Sequence, residues 1–174
     1  TTLSSCASRQ LEEVTFRRAT ISVPELMATA GKYFRKVYKG NKAHIDFKIQ
    51  PLEGRITGDW NQLRFLLENL IDEACSVTLD GAVCLSARED GEFIRFLFID
   101  MRREKTREEL NQLFYPDLSR MTAGEKGELY GTEYLVCKQI IRDHDEFAGR
   151  RGCRINAEPG KEGGFTIYFT LPKK

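Results

Sequence analysis

A β-hairpin in the middle of the chain constrains the fold more than any other feature of the sequence. Two runs typical of strands, Ala82–Arg88 and Glu92–Asp100, flank the dipeptide Asp90-Gly91, which is typical of a tight hairpin turn. The second run is almost wholly apolar, so we expect it to lie centrally in a sheet. The rest of the chain must then supply further strands and a layer that covers them.

That covering layer is predicted to consist of amphipathic helices. The strongest is residues 59–77, where Asp59 and Gln62 have capping-box spacing and one apolar stripe follows at helical intervals: Leu63, Leu66, Leu67, Leu70, Ile71 and Ala74. Similar patterns predict helices over residues 21–40, 106–114 and 132–143. Each helix is apolar on one stripe only, which favours packing against one face of a sheet.

The order of the elements predicts the fold class. Alternating residues predict a strand over 44–50, and a second hairpin is predicted between Cys153–Glu158 and Phe165–Leu171. The expected architecture is a two-layer α/β sandwich with a mixed, mainly antiparallel sheet covered on one face by helices. We interpret residues 1–20 as the tail of an upstream helix or a linker and residues 21–174 as the domain. Since the chain lacks an initiator Met, we expect it to be part of a longer protein.

Charge and composition exclude several classes of protein. The 174 residues include 27 Lys and Arg against 26 Asp and Glu, a net charge of +1, which gives no electrostatic reason to expect a nucleic-acid or membrane binder. No apolar run approaches the ~20 residues of a membrane span. The five cysteines include no C-x-x-C pair, which argues against a zinc site or a disulfide framework and favours the cytoplasm.

Several segments, in the right order, resemble the GHKL ATPase family in its sensor histidine kinase branch. The sequence DWNQLRFLLENLIDEA (59–74) resembles the N-box helix, and FLFID, ending at Asp100, resembles the strand that carries the adenine-binding aspartate. Residues 113–116 (LFYP) resemble the F-box, 115–130 occupy the place of the ATP lid, and GTEYLVCKQII (131–141) resembles the second glycine box. GGFT (163–166) is similar to the start of the closing strand.

The resemblance implies a pocket for ATP and magnesium. Its candidate residues are Asn69, Glu73, Asp100, Phe114, Gly131, Thr132 and Thr166. In the family an asparagine stands at the position of Glu73 and supplies an oxygen to magnesium; Glu73 departs from that pattern but could still be a ligand. The alternative is that Asn69 and the acidic cluster around Glu73 form a solvated helix edge.

The glycine motifs also depart from the family. The family pattern D-x-G-x-G is replaced here by Asp100-Met101-Arg102-Arg103-Glu104, and Leu129 and Glu133 replace glycines around Gly131. Side chains at these positions oppose a close approach of the nucleotide, and an acid at a helix start opposes phosphate. Arg102, Arg103 and Lys105 could hold phosphates differently; we expect them instead to pair with Glu104, Glu108 and Glu109 on a solvated turn.

Two functions follow from the resemblance. The first is a degenerate histidine-kinase-like ATPase domain of a two-component-type signalling protein, with weak or no ATP binding, acting as a regulatory or interaction module. The alternative is an active catalytic domain of a sensor histidine kinase. Partners implied are upstream helical dimerisation and sensor domains and a response-regulator-like protein. Chaperone, topoisomerase and anti-sigma-type kinase branches, and an unrelated α/β interaction domain, are further alternatives.

Overall fold

The computed structural model describes residues 15–115 and 132–174, and in the second range it describes side chains from Tyr134 onward. The helices are α1 (Val23–Tyr38), α2 (Trp60–Cys75), α3 (Arg107–Phe114) and α4 (Thr132–Phe147). The strands are β1 (Ala19–Ser22), β2 (Ile45–Gln50), β3 (Arg55–Gly58), β4 (Gly81–Asp90), β5 (Phe93–Asp100), β6 (Ile155–Pro159) and β7 (Phe165–Pro172).

The main sheet confirms the predicted two-layer α/β sandwich. Its order is β2-β4-β5-β7-β6; β2 and β4 are parallel and the other pairs antiparallel. As expected from its apolar sequence, β5 lies at the centre. Its alternate residues Ile94, Phe96 and Phe98 are buried in one core with the apolar stripe of α2, while the residues between them are half-buried. The central position of β5 brings its carboxyl end, Asp100, between two neighbouring strands.

A second, two-stranded sheet was not expected from the sequence. Strands β1 and β3 pair antiparallel from Ala19↔Gly58 to Ser22↔Arg55. Each has four residues, which is too short for alternation to identify a strand. In addition, β1 ends at Ser22, the residue that caps α1, so the sequence pattern there is that of a helix start. Residues 1–14 of the upstream helix tail or linker expected over residues 1–20 lie outside the described residues.

The helix cap predicted at Asp59 is confirmed, and α1 and α3 begin with similar caps. The Ser22 hydroxyl accepts a hydrogen bond from the N–H of Glu25 (3.3 Å), and a carboxyl oxygen of Asp59 accepts one from the N–H of Gln62 (3.1 Å). Thr106 and Glu109 form a reciprocal capping box. Each cap satisfies a backbone donor that the first helical turn leaves unpaired. The cap at Asp59 also fixes where α2 begins, and therefore which of its residues point towards the end of β5.

His144 ties α4 to the start of α2. His144 lies in the last turn of α4, where a cation is favourable, but its side chain is fully buried. Its Nε2 accepts a hydrogen bond from the N–H of Asp59 (3.0 Å), which assigns the ring proton to Nδ1, 2.8 Å from the carbonyl of Ile140. The two helices that flank the candidate site are thus joined at their far ends. Within the described ranges, no helix is long and apolar enough to span a membrane.

Candidate functional site

Asp100 lies at the centre of the candidate site. It is the last residue of β5, opposite Val83 of β4 and Phe165 of β7, and only 1% of it is exposed. A buried carboxylate is costly unless it is paired and hydrogen-bonded. Its partners therefore decide what else the site can bind.

Arg102 occupies both oxygens of that carboxylate. Its Nε donates to Oδ1 (3.0 Å) and its Nη2 to Oδ2 (2.9 Å), while its backbone N–H also donates to Oδ1 (3.0 Å). The remaining guanidinium protons bond to the end of α2 and the segment after it: Nη2 to the Ala74 carbonyl (2.6 Å), and Nη1 to those of Val77 (3.1 Å) and Leu79 (2.8 Å). All five N–H donors of a guanidinium are thereby used, and the side chain is 1% exposed.

Arg103 joins Asp100 to Glu73 of α2. Its Nε donates to Oδ2 of Asp100 (3.0 Å), and its Nη2 donates to Oε2 of Glu73 (3.1 Å). Its guanidinium carbon lies 5.3 Å from the centre of the Phe165 ring, within the range of a cation–π contact. Asp100, Glu73, Arg102 and Arg103 thus form a cluster, here called the arginine cluster, with two negative and two positive charges.

The arginine cluster shifts the ionisation of its members. Burial alone would raise the pKa of Asp100, but hydrogen bonds from Arg102 and the charges of Arg103 and Arg102 hold it below its usual value. Burial tends to lower the pKa of Arg103, and hydrogen bonding and charge from Glu73 raise it on balance. Burial raises the pKa of the Tyr134 hydroxyl, and the Glu73 carboxylate raises it further. Both carboxylates of the cluster are therefore paired with permanent cations.

A pH dependence of stability follows from the lowered pKa of Asp100. In the unfolded chain the Asp100 carboxyl has a pKa of ~3.9, so the contribution of ionised Asp100 to the free energy of unfolding is fully present above that pH. Below it, the unfolded chain takes up a proton that the folded chain does not, and stability falls by at most about 1.4 kcal/mol per pH unit until the folded-state pKa is passed. We expect urea titrations to show that the difference in free energy of unfolding between wild type and Asp100→Asn shrinks as the pH falls below about 4.

Asp46→Asn is the matched control for this measurement. The Asp46 side chain is 62% exposed and forms an ion pair with Lys48, itself well exposed, so its removal should have little effect on the pH dependence of stability. If the difference in free energy of unfolding between wild type and Asp100→Asn stayed constant over the acid range, the pKa of Asp100 would not be lowered in the folded protein.

The other residues implied by the resemblance are placed differently. Asn69 lies on α2 but its side-chain amide donates to the Phe65 carbonyl (2.9 Å) of the same helix, and no hydrogen bond joins it to the arginine cluster. Phe114 is buried and packs edge-to-face against Tyr134, with 5.7 Å between the ring centres. Thr166 is buried on β7, opposite Ile99 of β5. Thr132 begins α4, and its side chain is outside the described part; Gly131 and the lid segment from residue 116 are outside it too.

The expected pairing of Arg102 and Arg103 on a solvated turn is wrong. Neither pairs with Glu104, Glu108 or Glu109; both turn back to the buried Asp100. The signal available in the sequence was an acid at the end of a buried strand followed closely by two arginines, because a buried carboxylate requires a partner. Tyr134 was also missed: its hydroxyl is buried beside Glu73, whose carboxylate raises its pKa.

The residues present fit magnesium poorly in this arrangement. Glu73 would be the ligand, but its carboxylate is paired with Arg103 at 3.1 Å, and a second cation at that oxygen would be repelled. The described residues contain no group of three or more His, Cys, Asp or Glu placed to hold a metal ion. Adenine recognition meets a similar obstacle, since Arg102 and Arg103 already donate to both oxygens of Asp100.

Comparison with known proteins connects this fold to one class. No protein-family model matches the sequence, and no curated protein matches it. Among solved structures, the catalytic domain of histidine kinase ThkA in a nucleotide-free form superimposes with a TM-score of 0.68 at 19% identity, covering 90% of this chain and 98% of that one. The mycobacterial sensor histidine kinase MprB superimposes with a TM-score of 0.65 at 15% identity, and the match covers 91% of this chain and 99% of that one. The chain has the fold of the catalytic ATPase domain of sensor histidine kinases.

Proposed function

We propose that this domain is a histidine-kinase-like ATPase domain of a two-component-type signalling protein in which the arginine cluster has replaced ATP, and that it acts as a regulatory or interaction module. The observation that carries the proposal is the bidentate pairing of Arg102 with buried Asp100. The guanidinium provides there what an adenine amino group would provide: hydrogen-bond donors to a fixed carboxylate at the end of β5.

Opening this site for a nucleotide would be costly. Arg102 would have to leave five hydrogen bonds at once, three of them to the carbonyls of Ala74, Val77 and Leu79. Asp100 would keep Arg103 and the backbone N–H of Arg102 but would lose the two guanidinium bonds, and the three carbonyls would lose theirs. An adenine has fewer donors than a guanidinium with which to replace these five bonds. Gly81 supports the present arrangement, because a Cβ there would lie 2.7 Å from Cγ of Arg102.

The phosphate and metal side of the pocket supports the same proposal. Glu73 stands where the family carries a neutral amide, and its charge is offset by Arg103 rather than by a metal ion. Without a bridging cation, a carboxylate ~4 Å from a phosphate is repelled by about 4 kcal/mol at an effective dielectric constant of 20. Productive magnesium-ATP binding would therefore require Arg103 to move as well.

The signalling context is part of the proposal. Histidine kinase ThkA has been solved in complex with the response regulator protein TrrA. That structure superimposes on this chain with a TM-score of 0.69 at 18% identity, and the match covers 99% of this chain and 50% of that one. We infer a cytoplasmic protein with upstream helical dimerisation and sensor domains, for which a response-regulator-like protein is a candidate partner. An active kinase catalytic domain is the alternative that the next experiment decides.

Thermal unfolding with and without magnesium-ATP tests the proposal. A ligand at ~100 times its dissociation constant adds about 2.7 kcal/mol of stability, roughly 5–10 °C for a domain of this size. We expect no such shift for this domain at millimolar nucleotide. ShkA, which has been solved in complex with AMPPNP, is the positive control. A shift of several degrees that Asp100→Asn abolishes would overturn the proposal and establish the nucleotide-binding alternative.

A further inference from the structure

A basic groove lies at the carboxyl end of α1, outside the arginine cluster. It is a surface cavity of about 650 Å³ between the last turns of α1 and the start of β2. Four cations line it, Lys32, Arg35, Lys36 and Lys39, together with the aromatic side chains of Phe34 and Tyr38, and none of the described residues that line it is acidic. A volume of this size lies within the range of ligand-binding clefts.

The charge of this region is concentrated. Between Glu25 and Asp46 the sequence contains five Lys or Arg residues, at positions 32, 35, 36, 39 and 42, and no Asp or Glu. The whole chain has a net charge of +1, so the other residues together carry −4. Clefts lined by one sign of charge concentrate ligands of the opposite sign. The groove is therefore positive on a molecule that is otherwise slightly negative.

These cations have no intramolecular partners in the described part of the chain. None of the five forms an ion pair there. Two carboxylates that bond to residues lining the groove serve other donors: Asp72 accepts hydrogen bonds from the hydroxyls of Tyr33 (2.7 Å) and Tyr38 (2.6 Å), and Asp80 accepts one from the N–H of His44 (2.7 Å). The hydrogen bond to Asp72 holds the Tyr38 ring, which lines the groove, against α2.

Helix stability explains only part of this pattern. Cations in the last turn of a helix interact favourably with its dipole, which accounts for Arg35 and Lys36. Lys39 is the C-cap residue and shares this interaction. Lys32 lies earlier in the helix and Lys42 lies beyond its end, so these two gain less from it. Placing five like charges this close together also opposes folding. A ligand that neutralises them would account for their presence.

We propose that the basic groove binds an acidic segment of a partner protein. The cations line a concave surface with an aromatic floor, and an extended chain with carboxylate or phosphate groups can enter such a surface. A bilayer is broad and flat, and it would meet only the rim of a cavity. Acidic side chains would pair with Lys32, Lys36 and Lys39, and apolar side chains of the same segment would pack on Phe34 and Tyr38. This proposal does not depend on whether the pocket at Asp100 binds ATP.

Fluorescence anisotropy with a short labelled peptide of alternating acidic and aromatic residues tests the proposal. Its counterpart with Gln and Asn in place of the acids is the control peptide, and both are measured without nucleotide. We expect the acidic peptide to bind wild type, the neutral peptide to bind at least ~10-fold more weakly, and affinity to fall as ionic strength rises from about 0.05 to about 0.5 M.

Two triple variants distinguish a site from general charge attraction. K32Q/K36Q/K39Q removes three groove cations and retains good helix formers, whereas R88Q/K161Q/K174Q removes three exposed cations that do not line the groove. We expect the first to weaken binding at least ~10-fold and the second less than ~2-fold. Equal losses, no binding by wild type, or binding to phosphatidylserine vesicles but not to the acidic peptide would each overturn the proposal.

Discussion

Replacing Arg102 with methionine is expected to lower the free energy of unfolding by about 3–5 kcal/mol. Methionine can fill much of the space of the aliphatic stem beside Gly81, but it has no donor for Asp100. The carboxylate, 1% exposed, would retain only Arg103 as an ionic partner, and the carbonyls of Ala74, Val77 and Leu79 would lose their hydrogen bonds. Urea unfolding followed by circular dichroism measures the change.

Arg151→Met is the matched control for this loss. The Arg151 side chain is 76% exposed and its ion pair with Asp145 spans 3.4 Å, so we expect a change below about 1 kcal/mol. The double variant Asp100→Asn with Arg102→Met should lose less free energy of unfolding than the sum of the two single variants, because the two residues are in direct contact. A loss below about 1 kcal/mol for Arg102→Met alone would mean that the arginine cluster is not formed in solution.

The sequence predicts the framework of this fold well because the framework depends on strong local signals. The Asp90-Gly91 turn, the apolar run of β5 and the stripe of α2 each determine an element without reference to distant residues. The capping side chains of Ser22, Asp59 and Thr106 likewise act within three residues. The strands of the small sheet lie far apart in the sequence, with Ala19 paired to Gly58, and they have no such local pattern.

The candidate site was predicted less completely because its chemistry depends on long-range contacts. The end of β5 and the position of Glu73 on α2 follow from local patterns. The direction of the Arg102 side chain does not, because it is set by carbonyls twenty-three to twenty-eight residues away. An arginine after a strand is usually exposed, and only the burial of Asp100 makes the inward orientation favourable. Predicting it requires knowing that Asp100 is buried and that the guanidinium of Arg102 can reach the carbonyls at the end of α2 and beyond it.

Replacing Gly164 with alanine is expected to destabilise the domain by about 2–5 kcal/mol. Gly164 precedes β7 and has φ +71°, where a residue with a side chain loses about 1–2 kcal/mol. A Cβ at this position would also fall 2.2 Å from the carbonyl oxygen of Asp100 and 2.7 Å from Cα of Met101. Both are backbone atoms, so relief requires β7 or the end of β5 to move, and overpacking of this kind adds about 1–3 kcal/mol.

Gly91→Ala separates the conformational cost of a positive φ from the steric cost of the added Cβ. Gly91 has φ +60°, close to that of Gly164, but a Cβ there meets no atom within 4 Å. We therefore expect only the conformational cost of about 1–2 kcal/mol at Gly91, measured by the same urea titration. The excess at Gly164 reports the contact with Asp100, because that contact is absent at Gly91. Equal losses at the two positions would show that the start of β7 can move away from Asp100, and the arginine cluster would then be more adaptable than its five hydrogen bonds at Arg102 suggest.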